Sequence, residues 1–384
     1  MKRPRICREE GLHARLAGVK FLIMLTPGRK KRLLLLALLI FNCLFALACV
    51  GRSYSQLPDK VAGAKVESVM LFPIRQNGKV GFIDGTGKVL IEPQFNPENL
   101  YLGGDTAFSE GLARIAIERE DGGGPGARRR IGFIDATGKV AVEPQFDAAY
   151  DFSEGLAAVE VNHRAGFIDK TGRMVIRPEW DSARSFSEGL SAVGKDGKFG
   201  FIDGTGKVVI PLEFDYALGF SEGLAGVMVD RKFAFIDRTG KVVIRPPVDD
   251  AMGFSEGLAA AHVNHKMGFI DKTGQVVIEP EYTSAYGFSG GLARVMVGSK
   301  FGYVDKSGNM VIEPQYGLAD DFSEGLAAVE INRKWGYIDQ AGQMVIKPQF
   351  DRAYDFRDGL AVVSVGDAKG YIDRTGKYVW QPSR

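Results

Sequence analysis

The aspartate that closes a recurring Gly-Phe-Ile-Asp returns every 34 residues, and a chain with such a period must be read as an array before domains are counted. It falls at Asp84, Asp135, Asp169, Asp203, Asp237, Asp271, Asp305, Asp339 and Asp373, which number units 1 to 9 below. The last seven intervals are all 34, and the first is 51. Its excess of 17 divides into seven residues added between Phe95 and Phe108 and ten more around Asp121 to Arg130. Length alone would suggest two or three domains for 384 residues, but the unbroken register leaves the array no room for a second one.

A 34-residue period also suits helical hairpins, so the pattern must decide. Runs such as Lys207-Val208-Val209-Ile210 are rich in β-branched residues and bounded by Gly and Pro, which are strand signals. No stretch after the first fifty residues sustains apolar spacing at i, i+3, i+4, i+7. One unit reads as three antiparallel strands: Leu156 to Val161, Gly166 to Asp169, and Met174 to Arg177, with Pro178 as the stop. The glycine three places after the aspartate, Gly87 to Gly376, is present in all nine units and suits a hairpin position at positive φ. The aspartate itself can accept backbone N–H groups across that turn. A linker of the Phe-Ser-Glu-Gly-Leu pattern, exact in six of its eight copies from Phe108 to Phe356, marks another tight turn.

A unit this small cannot bury enough surface to fold alone, so neighbours must cover one another. The expected fold class is therefore all-β: a tandem array of nine three-stranded antiparallel units. An open superhelix is favoured over a closed β-propeller. Both chain ends fall in phase with the repeat, and nine blades exceed the usual number.

Residues 1–48 differ from the rest. Arg29-Lys30-Lys31-Arg32, an apolar run from Leu33 to Phe41, and Ala46-Leu47-Ala48 are the three parts of a secretory signal, with Met24 as an alternative start. Residues 49–65 form a short linker and 66–384 the repeat domain. Cys49 stands where a bacterial lipoprotein carries its lipidated cysteine. Leu33 to Val50 is also long enough for an uncleaved anchor. The three cysteines, Cys7, Cys43 and Cys49, leave residues 50–384 without an internal disulfide. Residues 1–48 carry 10 of the 49 basic and 2 of the 47 acidic residues, which leaves 39 and 45 and a net charge of −6. That balance lacks the footprint of a nucleic-acid-binding protein.

A basic residue stands five places before the aspartate in eight units: Lys79, Arg130, Arg164, Lys198, Lys232, Lys266, Lys300 and Lys334. Stacking would make these a cationic ladder, either a surface for an anionic partner or soluble turn residues that discourage edge pairing. The linker carboxylates Glu110, Glu154, Glu188, Glu222, Glu256, Glu324 and Asp358 recur too regularly for catalysis, which needs one special pair, and read as turn caps. His163, His262 and His265 read as exposed loop residues. No catalytic, cofactor or metal-binding residue is expected, and the loop Asp121-Gly122-Gly123-Gly124-Pro125-Gly126 lacks the Gly-Lys-Ser/Thr of a phosphate loop. With the insertion around Pro97 to Gly104, that loop is the one irregularity on a regular scaffold, and such loops often carry function.

The run from Phe322 to Phe350, with Trp335-Gly336 inside it, resembles the WG (KWG) repeat, and the resemblance extends over residues 66–382. Trp-Gly occurs once; Phe199, Phe233 and Phe301 take the Trp position in three other units. The resemblance implies a repeat architecture and no particular activity. The expected protein is exported (periplasmic, outer-membrane-associated or extracellular) and non-catalytic. It presents its repeat surface to a protein, glycan or envelope component. It binds no nucleic acid and meets a membrane only through its N-terminal segment or a lipid anchor. A structural envelope role and a carbohydrate-active enzyme are the alternatives.

Overall fold

A computed structural model of the protein describes residues 70–97, 108–117 and 129–383. The chain divides into two units, Met1–Gly63 and Ala64–Arg384, and every described residue belongs to the second. The signal, Met24, Cys49 and most of both insertions lie outside the described residues.

The described part is all-β, with 34 strands arranged as nine antiparallel sheets, one per repeat unit. The three expected strands are present in each. Unit 3 places Leu156–Val161 beside Arg164–Asp169 and that strand beside Met174–Trp180. A fourth strand comes from the linker: Ala148–Ala149 pairs with the first strand of unit 3, and most other units repeat this.

The third strand does not stop at proline. It runs through Pro178 to Trp180, because a bulge lets Ile176 and Trp180 face Phe167 and Ala165, four positions against two. The missing N–H of proline falls within the bulge, where no ladder bond is lost. Crossing there brings the bulged backbone onto Gly166, whose Cβ, were it present, would lie 2.6 Å from the Ile176 carbonyl. This close approach explains the glycine of the Trp-Gly signature. Unit 5 makes the same point in reverse. It carries Ala234 at that position, its third strand is only Val242–Ile244, and the pairing beyond Ile244 is absent.

The expectation of an open array is wrong: the nine sheets are blades of a closed ring, a β-propeller. Nine units in a row would share eight interfaces, whereas nine apolar clusters are found, each built from two neighbouring units. The ninth cluster joins Phe72, Ile74 and Ile83 of unit 1 to Leu360, Val362 and Tyr371 of unit 9. The in-phase chain ends misled because this ring is not closed by a blade shared between both ends. It is closed by packing the three-stranded first blade on the last, through an apolar cluster like those that join the other pairs.

Those contacts are regular. The aromatic residue two before each aspartate meets the linker Phe of the next unit, as in Phe133–Phe152 and Phe201–Phe220, both with centroids 4.9 Å apart. At the seam, Phe72 of the first strand of unit 1 takes the place of a linker Phe against Tyr371, at 5.4 Å. The turn glycine of each unit lies on the third strand of the unit before it. A Cβ on Gly240 would be 2.8 Å from Ile210, and one on Gly87 would be 2.8 Å from Val379. That glycine therefore answers two demands, a φ of 85–86° and the closeness of its neighbour.

Candidate binding surfaces

Each strand end presents one set of turns. At one end lie the Ser-Glu-Gly-Leu and Asp-x-Thr-Gly turns. In the first, Ser153 N–H donates to Leu156 O at 2.9 Å, and Leu156 N–H returns at 3.2 Å. Glu154 and Gly155 both have positive φ, 55° and 81°, as a type I′ hairpin requires. A glutamate is disfavoured in that conformation. It is held there because its carboxylate does not cap its own turn. Glu154 accepts the Gly189 N–H of the next unit at 2.8 Å, and the other linker glutamates do the same at 3.0–3.1 Å. Lysines placed one residue after the next unit's aspartate complete the staple: Lys170–Glu110 and Lys272–Glu222 are each 3.0 Å. The serine beside each glutamate adds a bond to the next linker, Ser187 Oγ donating to Phe220 O at 2.8 Å. The carboxylates are thus inter-blade fastenings, which goes beyond the turn-cap reading.

One junction departs. Between units 7 and 8 the glutamate is Gly290 and the cation is Gln340, whose amide donates to the Gly290 carbonyl. An arginine sits nearby in the blade interface. The Nε of Arg294 lies 3.1 Å from Asp321, its Nη1 lies 3.6 Å from Asp320, and its guanidinium lies 3.9 Å above the Tyr286 ring. This largely buried ion pair does not stand in for the staple, since its counterpart Arg114–Asp151, at 2.8 Å, sits beside an intact staple between units 2 and 3.

In the other turn, Asp169 Oδ1 accepts the N–H groups of Thr171 and Arg173 at 3.0 and 3.1 Å and the Thr171 hydroxyl at 2.6 Å, so the expected aspartate turn is present. The threonine hydroxyl above all holds the carboxyl pKa down, against a smaller opposing effect of desolvation.

The cationic ladder lies at the opposite end of the strands, and half of it is neutralised. Arg130 reaches Asp147, Arg164 reaches Asp181, Lys198 reaches Asp215 at 2.6 Å, and Lys334 reaches Asp351 at 2.7 Å. Lys79 donates to the Asn96 side chain. Each acid stands 17 residues after its base, a regularity visible in the sequence and not used in reading it. Its second oxygen takes a turn N–H, as Asp181 does from Asp196 at 2.7 Å. Lys232, Lys266 and Lys300 are exposed and form no ion pair among the described residues. Position 17 is Thr283 for Lys266 and Gly317 for Lys300. For Lys232 it is Asp249, which accepts the Asn264 N–H at 3.0 Å.

His163 and His265 occupy exposed turns with φ of 62° and 66°. His262 instead lies on a strand, opposite Asp250, whose carboxyl pKa is raised chiefly by burial. His262 and His265 stack edge-on at 6.3 Å, and among the described residues no trio of His, Cys, Asp or Glu is placed to hold a metal.

The seam between units 9 and 1 holds a shallow depression lined by Gln76, Val379, Trp380, Gln381, Pro382 and Ser383. No sequence signal pointed to it, because its two sides are about three hundred residues apart.

With the ring and its turns in view, the class is that of a nine-bladed β-propeller built from short tandem repeats. Residues 81–96, 131–162, 166–199, 199–233, 233–266, 267–301, 301–335 and 335–367 match the WG containing repeat, over more than half of the chain. The protein belongs to the WG-repeat family. Among solved structures it is similar to a eukaryotic initiation factor, with 14% identity over 78% of this chain and 90% of that one and a TM-score of 0.53. That likeness is one of fold alone. Weaker likenesses are to the dihydro-heme d1 dehydrogenase NirN (14% identity, 76% of each chain, TM-score 0.43) and to Kluyveromyces lactis Hsv2p (8% identity, 60% of this chain and 90% of that one, TM-score 0.39). No curated protein matches the chain.

Proposed function

We propose that this protein is an exported, non-catalytic binding scaffold whose ring displays its surface to a protein, glycan or envelope component. One observation carries the reading. Most of the polar groups that recur around the ring are committed to joining blades or fixing turns, as the Glu154–Gly189 and Arg164–Asp181 contacts illustrate. A rigid frame of that kind leaves recognition to the places where the repeat is interrupted. The basic, apolar and Ala-x-Ala segments of residues 29–48 support export.

The test is a pull-down from envelope extract with the chain from Gly51 onward, set against a variant lacking both insertions of the first units. A partner retained by the first supports the scaffold, and its loss from the second places recognition at the insertions. If neither retains anything, a purely structural envelope role replaces the proposal.

A further inference from the structure

We infer that the depression at the seam of units 9 and 1 is a subsite for a neutral sugar of a glycan chain. The inference rests on the reading of the ring as a binding protein and names the ligand class of one place on it. The site is a shallow, open depression of about 340 Å³, the form of a subsite that holds one unit of a longer chain.

Trp380 is the departure that makes it. The equivalent residue is Ile91, Val142, Ile176, Ile210, Ile244, Ile278, Ile312 and Ile346 in the other units, buried in each. Unit 9 alone places an indole there, and it is only half-buried. The Nε1–H of Trp380 donates to Ser383 Oγ at 3.2 Å, and Ser383 Oγ donates in turn to the Arg75 carbonyl, so the ring plane is fixed before any ligand arrives. A preset aromatic face loses little entropy on binding.

The remaining lining selects the ligand. None of the six lining side chains is titratable, so the lining itself offers no charge to an anion or a cation. Gln76 and Gln381 are exposed, and each amide offers both a donor and an acceptor. A pyranose matches this combination. Its C–H face lies on an aromatic ring, and its neighbouring hydroxyls each donate and accept, as an amide does. A purely apolar ligand would leave both amides without partners.

The test is a titration of the full chain with cellotriose, maltotriose and chitotriose, followed by tryptophan emission. Trp380→Ala, Gln381→Ala and the parent are compared, with near-ultraviolet circular dichroism confirming that each variant keeps its ring. At least one trisaccharide is expected to shift the emission. Trp380→Ala should abolish the shift, and Gln381→Ala, an exposed change, should weaken binding about tenfold. An emission silent to all three sugars overturns the inference, as does a shift that survives in both variants. Binding of decaproline in place of the sugars also overturns it and makes the depression a peptide site. The titration reads the seam alone, so its failure leaves the pull-down result standing, and the reverse holds too.

Discussion

The hydroxyl of Tyr371 donates to the carbonyl of Pro73 at 2.7 Å, joining the last unit of the ring to the first. In other blades the carbonyl at the Pro73 position takes an N–H from the linker strand, as Ala158 O does from Tyr150 and Ala192 O from Arg184, both at 2.9 Å. The next such carbonyl behaves likewise. Glu160 O accepts the Asp147 N–H at 2.9 Å, whereas its counterpart Arg75 O accepts the Ser383 hydroxyl. Side chains of unit 9 therefore satisfy the edge that a linker strand covers elsewhere. Proline at position 73 removes a donor from that edge, which discourages pairing with foreign strands.

It follows that Tyr371→Phe should weaken the seam without opening it. The loss is expected at about 1–3 kcal/mol, since a partly buried carbonyl is left without its donor. Phe72 still packs on the ring. Denaturant unfolding measures this, and Tyr337→Phe at an ordinary junction is the control. Unit 8 donates the same hydroxyl to Tyr354 O at 2.7 Å. Complete loss of the folded state from Tyr371→Phe alone would show that packing does not close the ring.

The glycine before Phe-Ile-Asp should be intolerant of a methyl group wherever the third strand crosses it. Gly166→Ala places Cβ 2.6 Å from Ile176 O, a backbone atom with no freedom to swing aside. A destabilisation of about 1–3 kcal/mol is expected from such overpacking. Ala234→Gly in unit 5, where no crossing strand pairs, should cost no more than about 1 kcal/mol, the ordinary entropic penalty of glycine. Equal costs in the two urea titrations would refute this account of the signature glycine.

Much of this frame was legible in the residues, for a physical reason. Period, strand order and the aspartate turns depend on contacts within one unit, and β-branched runs, Asp and Gly report those directly. The ring does not. Closure is the sum of small rotations at nine interfaces, and no residue in one unit records that sum. The glutamates were legible as turn residues, but their acceptor role reaches 35 positions ahead, as from Glu188 to Gly223. Proline looked like a strand terminus because the bulge that absorbs it is formed with a glycine on another strand.

The junction of units 7 and 8 should respond more to Arg294 than any surface staple does to its lysine. Arg294→Ala leaves Asp321 in the interface without its cation. A loss of about 3–5 kcal/mol is expected. Lys272→Ala breaks an exposed pair with Glu222 and should cost at most about 1 kcal/mol. Installing the missing staple with Gly290→Glu and Gln340→Lys together suits the backbone, because Gly290 has φ of 64°, close to that of the native glutamates. The close neighbour of a Cβ there, Gln340 Nε2 at 2.8 Å, belongs to the side chain being replaced. A double-mutant cycle should return a small favourable coupling, and a coupling of zero or below would mean that the staple geometry of this junction differs from the rest.

Acid should dismantle the turns at the staple end. Asp84, Asp135, Asp169, Asp203, Asp237, Asp271 and Asp373 all have pKa values lowered from 3.8, with the threonine hydroxyl bond as the largest cause. A carboxyl whose folded pKa is depressed stabilises the fold above its unfolded value and loses that contribution as pH falls through the folded one. Stability from these groups is therefore expected to be level from neutral pH to above 3.8 and to fall steadily below it. Replacing Thr171 and Thr205 with valine removes two of the hydroxyl bonds and keeps the shape of the side chain. The double variant should lose stability at pH 7 and show a shallower decline below 3.8, because its aspartates then titrate closer to their unfolded values. Thermal melts across this pH range would test the assignment, and parallel curves for variant and parent would place the acid sensitivity elsewhere.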